Sequence, residues 1–446
     1  MRINFILFCI SIAYAFLIKS NILMILSIVF VVTLILSSFK LGGIKRSIEI
    51  AEIGAKKSYA LVMIFSLLGM LSASWFLSGT IPSLIYYGIK IINPNYFYIF
   101  TFIILSVFSF LMGSSFGSVG TMGIVMISLA RGIELNLFLT AGAVISGAYF
   151  GDRGSPTSSS ANFVALLTDT NIYNNVKNMF KIGFFPYLIV ALLYFCLGKT
   201  DVAQGIDSTL DRLLLEEFTL SPLVFIPLLI LIAMCLFRVD IKRTMAVSIL
   251  SSLAIAFLIQ NYSLEEIVKT VLLGFRLPLA NPLYKIIRGG GIVSMGTATV
   301  MAFLSCSIVK IFEELKILNW VSKRIGIIEM EWKAYLYTAV VAIFTSGISS
   351  SQSTSILLTS QIMKKTYEES GFENEELALD IENSCVILSP LIPWNIAITV
   401  PAAMLEMGVF QIIPNSFYLY ILPLFVLVKK IFFTKRRDVE IKKAEY

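Results

Sequence analysis

The sequence predicts an all-α polytopic membrane protein made of two inverted-topology repeats, with helix-breaking hairpins and discontinuous helices. Three observations lead there: a composition too apolar for a protein surrounded by water, loop charges that alternate along the chain, and paired Gly/Ser-rich breaks that recur at one fixed offset. Of 446 residues, 57% are apolar and 14% charged, against roughly 25% charged in an ordinary soluble protein. So few charged side chains cannot cover the surfaces of soluble domains. The composition excludes a soluble enzyme, a disordered protein and a nucleic-acid binder, and makes the lipid bilayer the first partner. The formal charge of +7 reads as basic cytoplasmic loops. The chain has no histidine, which removes Ser-His and Cys-His catalysis, histidine metal ligation and an imidazole relay. Cys9, Cys196, Cys235, Cys306 and Cys385 are widely spaced in apolar segments and suggest neither a metal motif nor a disulfide framework.

Residues 1–39 read as an N-terminal transmembrane hairpin. Apolar runs at 3–18 and 21–39 follow each other closely, and no small-residue cleavage site marks the first as a removable signal. The first repeat, 40–198, opens with Lys40, Lys45, Arg46, Lys56 and Lys57 against Glu49 and Glu52, a cytoplasmic loop. Segment 199–217 sets Lys199 and Arg212 against Asp201, Asp207, Asp211, Glu216 and Glu217, so it reads as an extracytoplasmic linker. A connecting helix pair fills 218–260, with spans near 219–237 and 244–260 joined by the basic turn Arg238 to Arg243. The second repeat, 261–433, therefore starts outside, opposite to the first, as an inverted repeat requires. The tail 434–446 is basic, which places the C-terminus, like the N-terminus, in the cytoplasm.

The repeat is visible in the residues themselves. The run 110–121 (FLMGSSFGSVGT) breaks one apolar stretch, and Ser155-Pro156 follows 42 residues after Gly113. The run 344–355 (FTSGISSSQSTS) breaks another, and Ser389-Pro390 follows 42 residues after Gly347. The two sets are offset by 234 positions. Close helix packing would explain either break alone, but not the shared spacing. Backbone groups freed at membrane depth persist only where they line a cavity, and interrupted segments at matching positions of two halves point to a transporter's binding site. The breaks are thus expected to meet and to face 152–162 and 384–395. Paired breaks favour a secondary transporter with alternating access over a channel. An intramembrane enzyme is the remote alternative: a serine protease lacks its histidine, and an aspartyl protease lacks a second aspartate string.

Residues 79–88 (GTIPSLIYYG), the break 113–121, 146–156 (SGAYFGDRGSP) and 389–395 (SPLIPWN) together resemble the bacterial Na+/H+ antiporter family of the NhaC type, over roughly 40–440. The resemblance implies about 10–13 transmembrane helices with inverted repeats, a bacterial inner-membrane location, and transport of Na+ and H+ or of small organic acids and amino acids. This chain departs from the family pattern in ways that bear on cargo. The family usually has G-D-K-x-S-P-x-S-D-T-T-N where residues 151–162 read GDRGSPTSSSAN, so Asp152 is kept and Ser159 replaces an acid. Ser351 replaces the acid of the usual T-G-D-Q, and Asn383 replaces the acid of the usual E-D-S-G.

The candidate substrate and ion site follows from these segments. Asp152 leads, because an ionisable group at membrane depth is functional by default and Na+ and H+ can compete for a desolvated carboxylate. Neutral oxygens and amides come from Ser114, Ser115, Ser155, Ser158, Ser159, Ser160 and Asn162, and from Ser349, Ser350, Ser351, Gln352 and Ser353. Glu382, Asn383, Ser384, Ser389, Trp394 and Asn395 complete the set, with Glu382 open between a site role and water exposure, and Trp394 between solute wall and packing anchor. Gly113, Gly117, Pro156, Gly347, Pro390 and Pro393 are the expected helix breakers. Arg153 is expected to pair with Asp152, its other role being a two-pronged donor to a substrate carboxylate. Arg276, Lys285 and Arg288 read as loop charges, and Gly289–Gly291 as a flexible span entrance, since the Lys-Ser/Thr of a phosphate loop is missing. No catalytic residue and no cofactor is expected. Na+ or H+ is the coupling ion, with Na+ placed at Asp152 and backbone carbonyls. The expected cargo is a small organic solute, an amino acid or carboxylate, with plain Na+/H+ antiport as the alternative. Oligomeric state is open, a homodimer among the options.

Overall fold

A computed structural model describes residues 22–200, 208–237, 239–315, 326–349 and 351–433. Helices α1 (Ile22–Leu41), α2 (Ile44–Lys57), α3 (Tyr59–Leu77) and α4 (Thr80–Ile91) lead to α5 (Phe97–Met112), the short α6 (Ser115–Ser118), a π turn over Val119–Gly123, and α7 (Ile124–Gly132). Then come α8 (Leu137–Gly154), α9 (Ser159–Leu167), α10 (Ile172–Thr200), α11 (Ser208–Glu217), α12 (Ile226–Leu236), α13 (Ile241–Leu258) and α14 (Leu264–Leu273). The second half continues with α15 (Gly296–Glu314), α16 (Glu331–Ser349), α17 (Gln352–Glu369), α18 (Asn374–Ile381), α19 (Ile396–Met404), α20 (Val409–Ile412) and α21 (Phe417–Phe433). Among the described residues, strand structure is limited to β1 (Phe275–Arg276) and β2 (Arg288–Gly289), paired antiparallel.

This is an all-α polytopic membrane protein. Four helices are individually long and apolar enough to span a bilayer, and four pairs bent at short breaks pass together, giving up to eight spans among the described residues. Helices α8, α16 and α17 carry small and polar residues of the breaks, and α8 is buried over most of its length. The outward face of α10 shows the opposite character: Phe184, Phe185, Leu188 and Leu192 are exposed, an apolar surface that water would not tolerate but lipid does. The first expected span, 3–18, part of the linker (201–207), Arg238, Ser350 and the tail 434–446 lie outside the described residues. The rest of the linker is helical, as α11.

Local chemistry explains where the spans break. Gly113 ends α5 in the left-handed region at φ 61°, and the next residue, Ser114, caps α6 by accepting from the Gly117 N–H at 3.2 Å. Gly117 therefore sits inside a helix rather than breaking one. Ser155 ends α8 in extended backbone at ψ 135°, as a residue before proline must. In the second half, α18 widens into a π turn over Glu382–Val386, tightens into a turn at Ser389–Leu391, and restarts at α19 capped by Asn395. Pro393 is buried in that connection.

Close backbone packing sets the frame. Helix α8 lies along α5, and a Cβ at Gly151 would sit 2.3 Å from the Phe110 N, so only glycine lets the two helices meet beside Asp152. The Gly289–Gly291 segment is packed rather than flexible. All three residues have positive φ, Gly291 N–H donates to Gly69 O of α3 at 2.7 Å, and a Cβ at Gly290 would lie 2.4 Å from Ala73 N. Glycine is there to let the chain approach α3 without side chains between. Of the expected loop charges, Arg288 pairs with Glu406 at 3.3 Å.

Candidate functional site

Asp152 sits in the last turn of α8 and is 3% exposed. Its Oδ1 accepts hydrogen bonds from Ser158 Oγ and Ser160 Oγ, both at 3.1 Å. Its Oδ2 faces Ser115 Oγ at 3.3 Å and Gln352 Nε2 at 3.5 Å. Ser115 is the first residue of α6, Ser158 caps α9, and Gln352 is the first residue of α17. The carboxylate is therefore set where three helices begin, and the unpaired N–H groups and dipole at such ends favour negative charge. The donors are neutral and adaptable: a hydroxyl can turn to offer a lone pair instead of its proton. One acid ringed by three serine hydroxyls suits a hard monovalent cation.

Each break folds onto its own Ser-Pro segment, and among the described residues the two are bridged through Asp152 rather than by a direct hydrogen bond. Ser155 Oγ donates to Phe110 O at 2.6 Å and shares a 2.7 Å bond with Thr157, tying the end of α8 to α5. Ser346 and Ser389 hydroxyls lie 2.8 Å apart, Trp394 Nε1 donates to Gly347 O at 2.8 Å, and Asn395 Nδ2 donates to Ser346 O at 3.0 Å. Trp394 is thus clamped onto the second break, which favours the packing anchor over a free solute wall. Ser349 Oγ bonds Ser355 Oγ at 2.6 Å and donates to Ser351 O at 3.0 Å, closing the same break from the other side. Ser384 donates to Asp380 O within its helix. Gln352, which also donates to Val386 O at 3.1 Å, joins the two breaks through Asp152. Ser159, Asn162 and Ser353 are exposed and stand away from this cluster. Asn162 holds the turn instead, donating to Pro156 O and Ser158 O.

The expected Asp152–Arg153 pair is not what the structure shows. Successive residues on a helix point about 100° apart, so Arg153 leaves α8 on another face. It is 1% exposed. Its Nε and Nη2 both donate to Asn383 Oδ1, at 3.0 and 2.6 Å, while Nη1 reaches Tyr418 OH and Nη2 reaches Met179 O, each at 3.2 Å. All four hydrogen bonds end on neutral oxygens. Glu382, beside Asn383 in the π turn, is fully buried, which decides against water exposure. Neither Glu382 carboxyl oxygen has a hydrogen-bond partner among the described residues, nor has Asn383 Nδ2.

Sequence reasoning missed three tyrosines and one ion pair near the site. Tyr149 OH donates to Ala397 O at 2.6 Å, joining α8 to α19. Tyr335 OH reaches Asn383 O at 3.2 Å, and Tyr418 OH accepts from Arg153. Lys430 Nζ meets both oxygens of Asp380, at 2.5 and 2.6 Å, and Tyr367 OH donates to Asp380 Oδ2 at 2.8 Å. The charged residues of this pair are 50 positions apart, beyond any local pattern.

Comparison with known proteins agrees with this architecture. The chain is 26% identical over 391 residues to the Na+/H+ antiporter NhaC of Alkalihalophilus pseudofirmus, covering 84% of this chain and 82% of that protein. It is 26% identical over 422 residues to the malate-2H+/Na+-lactate antiporter of Bacillus subtilis, covering 92% and 90%. It is 25% identical over 378 residues to the arginine/ornithine antiporter ArcD of Halobacterium salinarum, covering 82% and 77%. The sequence profile of the Na+/H+ antiporter family matches residues 147–432, a stretch that runs from the Asp152 break through Arg153, Gln352, Glu382 and Asn383 to the last helix, and the chain belongs to that family.

Proposed function

We propose that this protein is a Na+-coupled secondary transporter of a small carboxylate-bearing organic solute, an amino acid or a carboxylate, working by alternating access in a bacterial inner membrane. One observation carries the cargo reading: a buried guanidinium whose four hydrogen bonds all end on neutral oxygens. A permanent cation in a low-dielectric interior without an acidic hydrogen-bond partner is costly, and the planar fork of arginine matches a carboxylate in two-pronged fashion. A solute carboxylate takes the place of Asn383 Oδ1 on Arg153, while Na+ binds at Asp152 among the hydroxyl oxygens of Ser115, Ser158 and Ser160. The names of two relatives, a malate/lactate and an arginine/ornithine antiporter, support an organic cargo. The halves 40–198 and 261–433 act as the two inverted repeats, linked by 199–217 and 218–260, with both termini in the cytoplasm. The protein is a transporter and not an enzyme.

Plain Na+/H+ antiport is the second reading, favoured by the NhaC relative and by Glu382 as a second buried acid. Purified protein in proteoliposomes separates the two. A small carboxylate should stabilise the protein against heat, more so with Na+ than with choline, and should drive saturable counterflow. Arg153→Gln should remove the solute effect and leave Na+ stabilisation within about twofold. ΔpH-driven Na+ flux without any organic solute, with no carboxylate stabilising the protein, would return the assignment to plain antiport.

A further inference from the structure

The π turn Glu382–Val386 carries unmatched groups on two consecutive buried residues, and Arg153 hydrogen-bonds the second of them, Asn383. Among the described residues both oxygens of Glu382 lack a donor and Asn383 Nδ2 lacks an acceptor, although Asn383 Oδ1 is engaged twice by the guanidinium. Glu382 is 0% exposed and Asn383 likewise. Buried polar groups are nearly always satisfied, and each exception calls for an explanation. π turns inside helices concentrate at functional sites because the widened turn gives up regular backbone bonding. The charged groups whose fields reach Glu382 are Arg153 and Asp152 of α8. The other acid of this segment, Asp380, is committed to Lys430 and Tyr367.

The unmatched atoms specify a complement. Two carboxyl oxygens without a donor call for an N–H donor, and a cationic one would also hold the acid ionised, while the amide N–H beside an arginine calls for an anionic acceptor. We infer that the solute is an α-amino acid held as its zwitterion, its ammonium on Glu382 and its carboxylate shared between Arg153 and Asn383 Nδ2. This rests on the proposed function and narrows it, since Arg153 alone would accept any carboxylate. A 2-hydroxy acid presents the same carboxylate but only a neutral hydroxyl, which leaves Glu382 without its counter-charge. Glu382 is then a specificity-determining residue.

The test uses full-length protein in proteoliposomes and a panel of L-amino acids, each paired with the 2-hydroxy acid of identical side chain. Thermal stabilisation and counterflow are read with Na+ present. At least one amino acid should bind, with its hydroxy acid weaker by about thirtyfold or more, as for removal of one partner of a buried charged contact. Glu382→Gln should bring that ratio to within about twofold. Hydroxy acids that bind the wild type as well as their amino acids overturn the inference while leaving the carboxylate reading intact, and this comparison needs no variant. Retention of full discrimination in Glu382→Gln also overturns it, since the acid would then serve another cation. A panel in which no member of either kind binds overturns the carboxylate reading itself, and the inference with it. Should Glu382→Gln not fold, Glu382→Asp must preserve the preference for amino acids; equal binding of both classes in that variant counts against the inference.

Discussion

Replacing Asp152 by asparagine keeps the shape of the cradle and removes its charge. The Oδ1 bonds from Ser158 and Ser160, both 3.1 Å, survive unchanged. The new amide lies where Oδ2 now faces Ser115 at 3.3 Å and Gln352 at 3.5 Å, the two longest bonds of the set. Ser115 can turn its hydroxyl to accept, and Gln352 keeps its 3.1 Å bond to Val386 O, so the fold loses about 1 kcal/mol, one ordinary hydrogen bond. Cation binding loses far more. A unit charge pair 4 Å apart interacts by about 4 kcal/mol at an effective dielectric of about 20, close to three factors of ten in affinity. Asp152→Asn should therefore weaken Na+ binding about a thousandfold with a melting temperature within a few degrees of wild type. A titration of melting temperature with NaCl against choline chloride reads both quantities at once. A variant that Na+ still stabilises with a wild-type midpoint would refute the assignment of Asp152 as the cation ligand.

Two further changes test the frame around the site. Gly151→Ala puts a methyl 2.3 Å from Phe110 N, which backbone on both sides cannot yield to. It should destabilise by about 1–3 kcal/mol and lower both melting temperature and transport, whereas an untouched melting temperature would show that α5 and α8 are not packed this closely. Asp380→Asn strands Lys430, which is 15% exposed against 1% for Asp380, at a cost of about 3 kcal/mol. The double change Asp380→Asn with Lys430→Met should recover at least half of that loss in thermal unfolding, and purely additive losses would mean the pair does not couple the helices.

The breaks were legible because their chemistry is local. Glycine in the left-handed region, serine as a cap, and the extended residue before proline act within three or four positions, so Gly113, Ser114, Ser155 and Asn395 announce themselves in any window. The Asp152 cradle was legible in part for the same reason: Ser158 and Ser160 are near in sequence, and their alternation sends Ser159 outward. What failed was proximity in sequence taken as proximity in space. Arg153 follows Asp152 yet serves the other side of α8, and its partners Asn383 and Tyr418 lie 230 and 265 positions away. The acidic stretch before it leaves Glu382 open between a site role and water, but helical periodicity turns Asp380 toward Lys430 and takes Glu382 inward. Gly289–Gly291 read as flexible because glycine permits both freedom and close contact, and only the position of α3 decides between them.

Charge accounting links the loss of family acids to the cargo. With both acids ionised, Asp152, Arg153 and Glu382 leave the buried cluster one negative charge, while Asp380 and Lys430 cancel. An acid at position 383, as the family pattern has it, would face Arg153 directly and neutralise it, and the remaining two acids would then demand two positive charges from their occupants. Asn383 keeps Arg153 in place through its Oδ1 without consuming its charge. The guanidinium stays available to an anion, and one Na+ at Asp152 suffices to bring the interior to neutrality, since a zwitterion adds nothing to the sum. Low-dielectric interiors penalise each unbalanced charge, so on the proposed reading an amide rather than an acid at 383 suits a single Na+ together with an overall neutral solute better than bare cations.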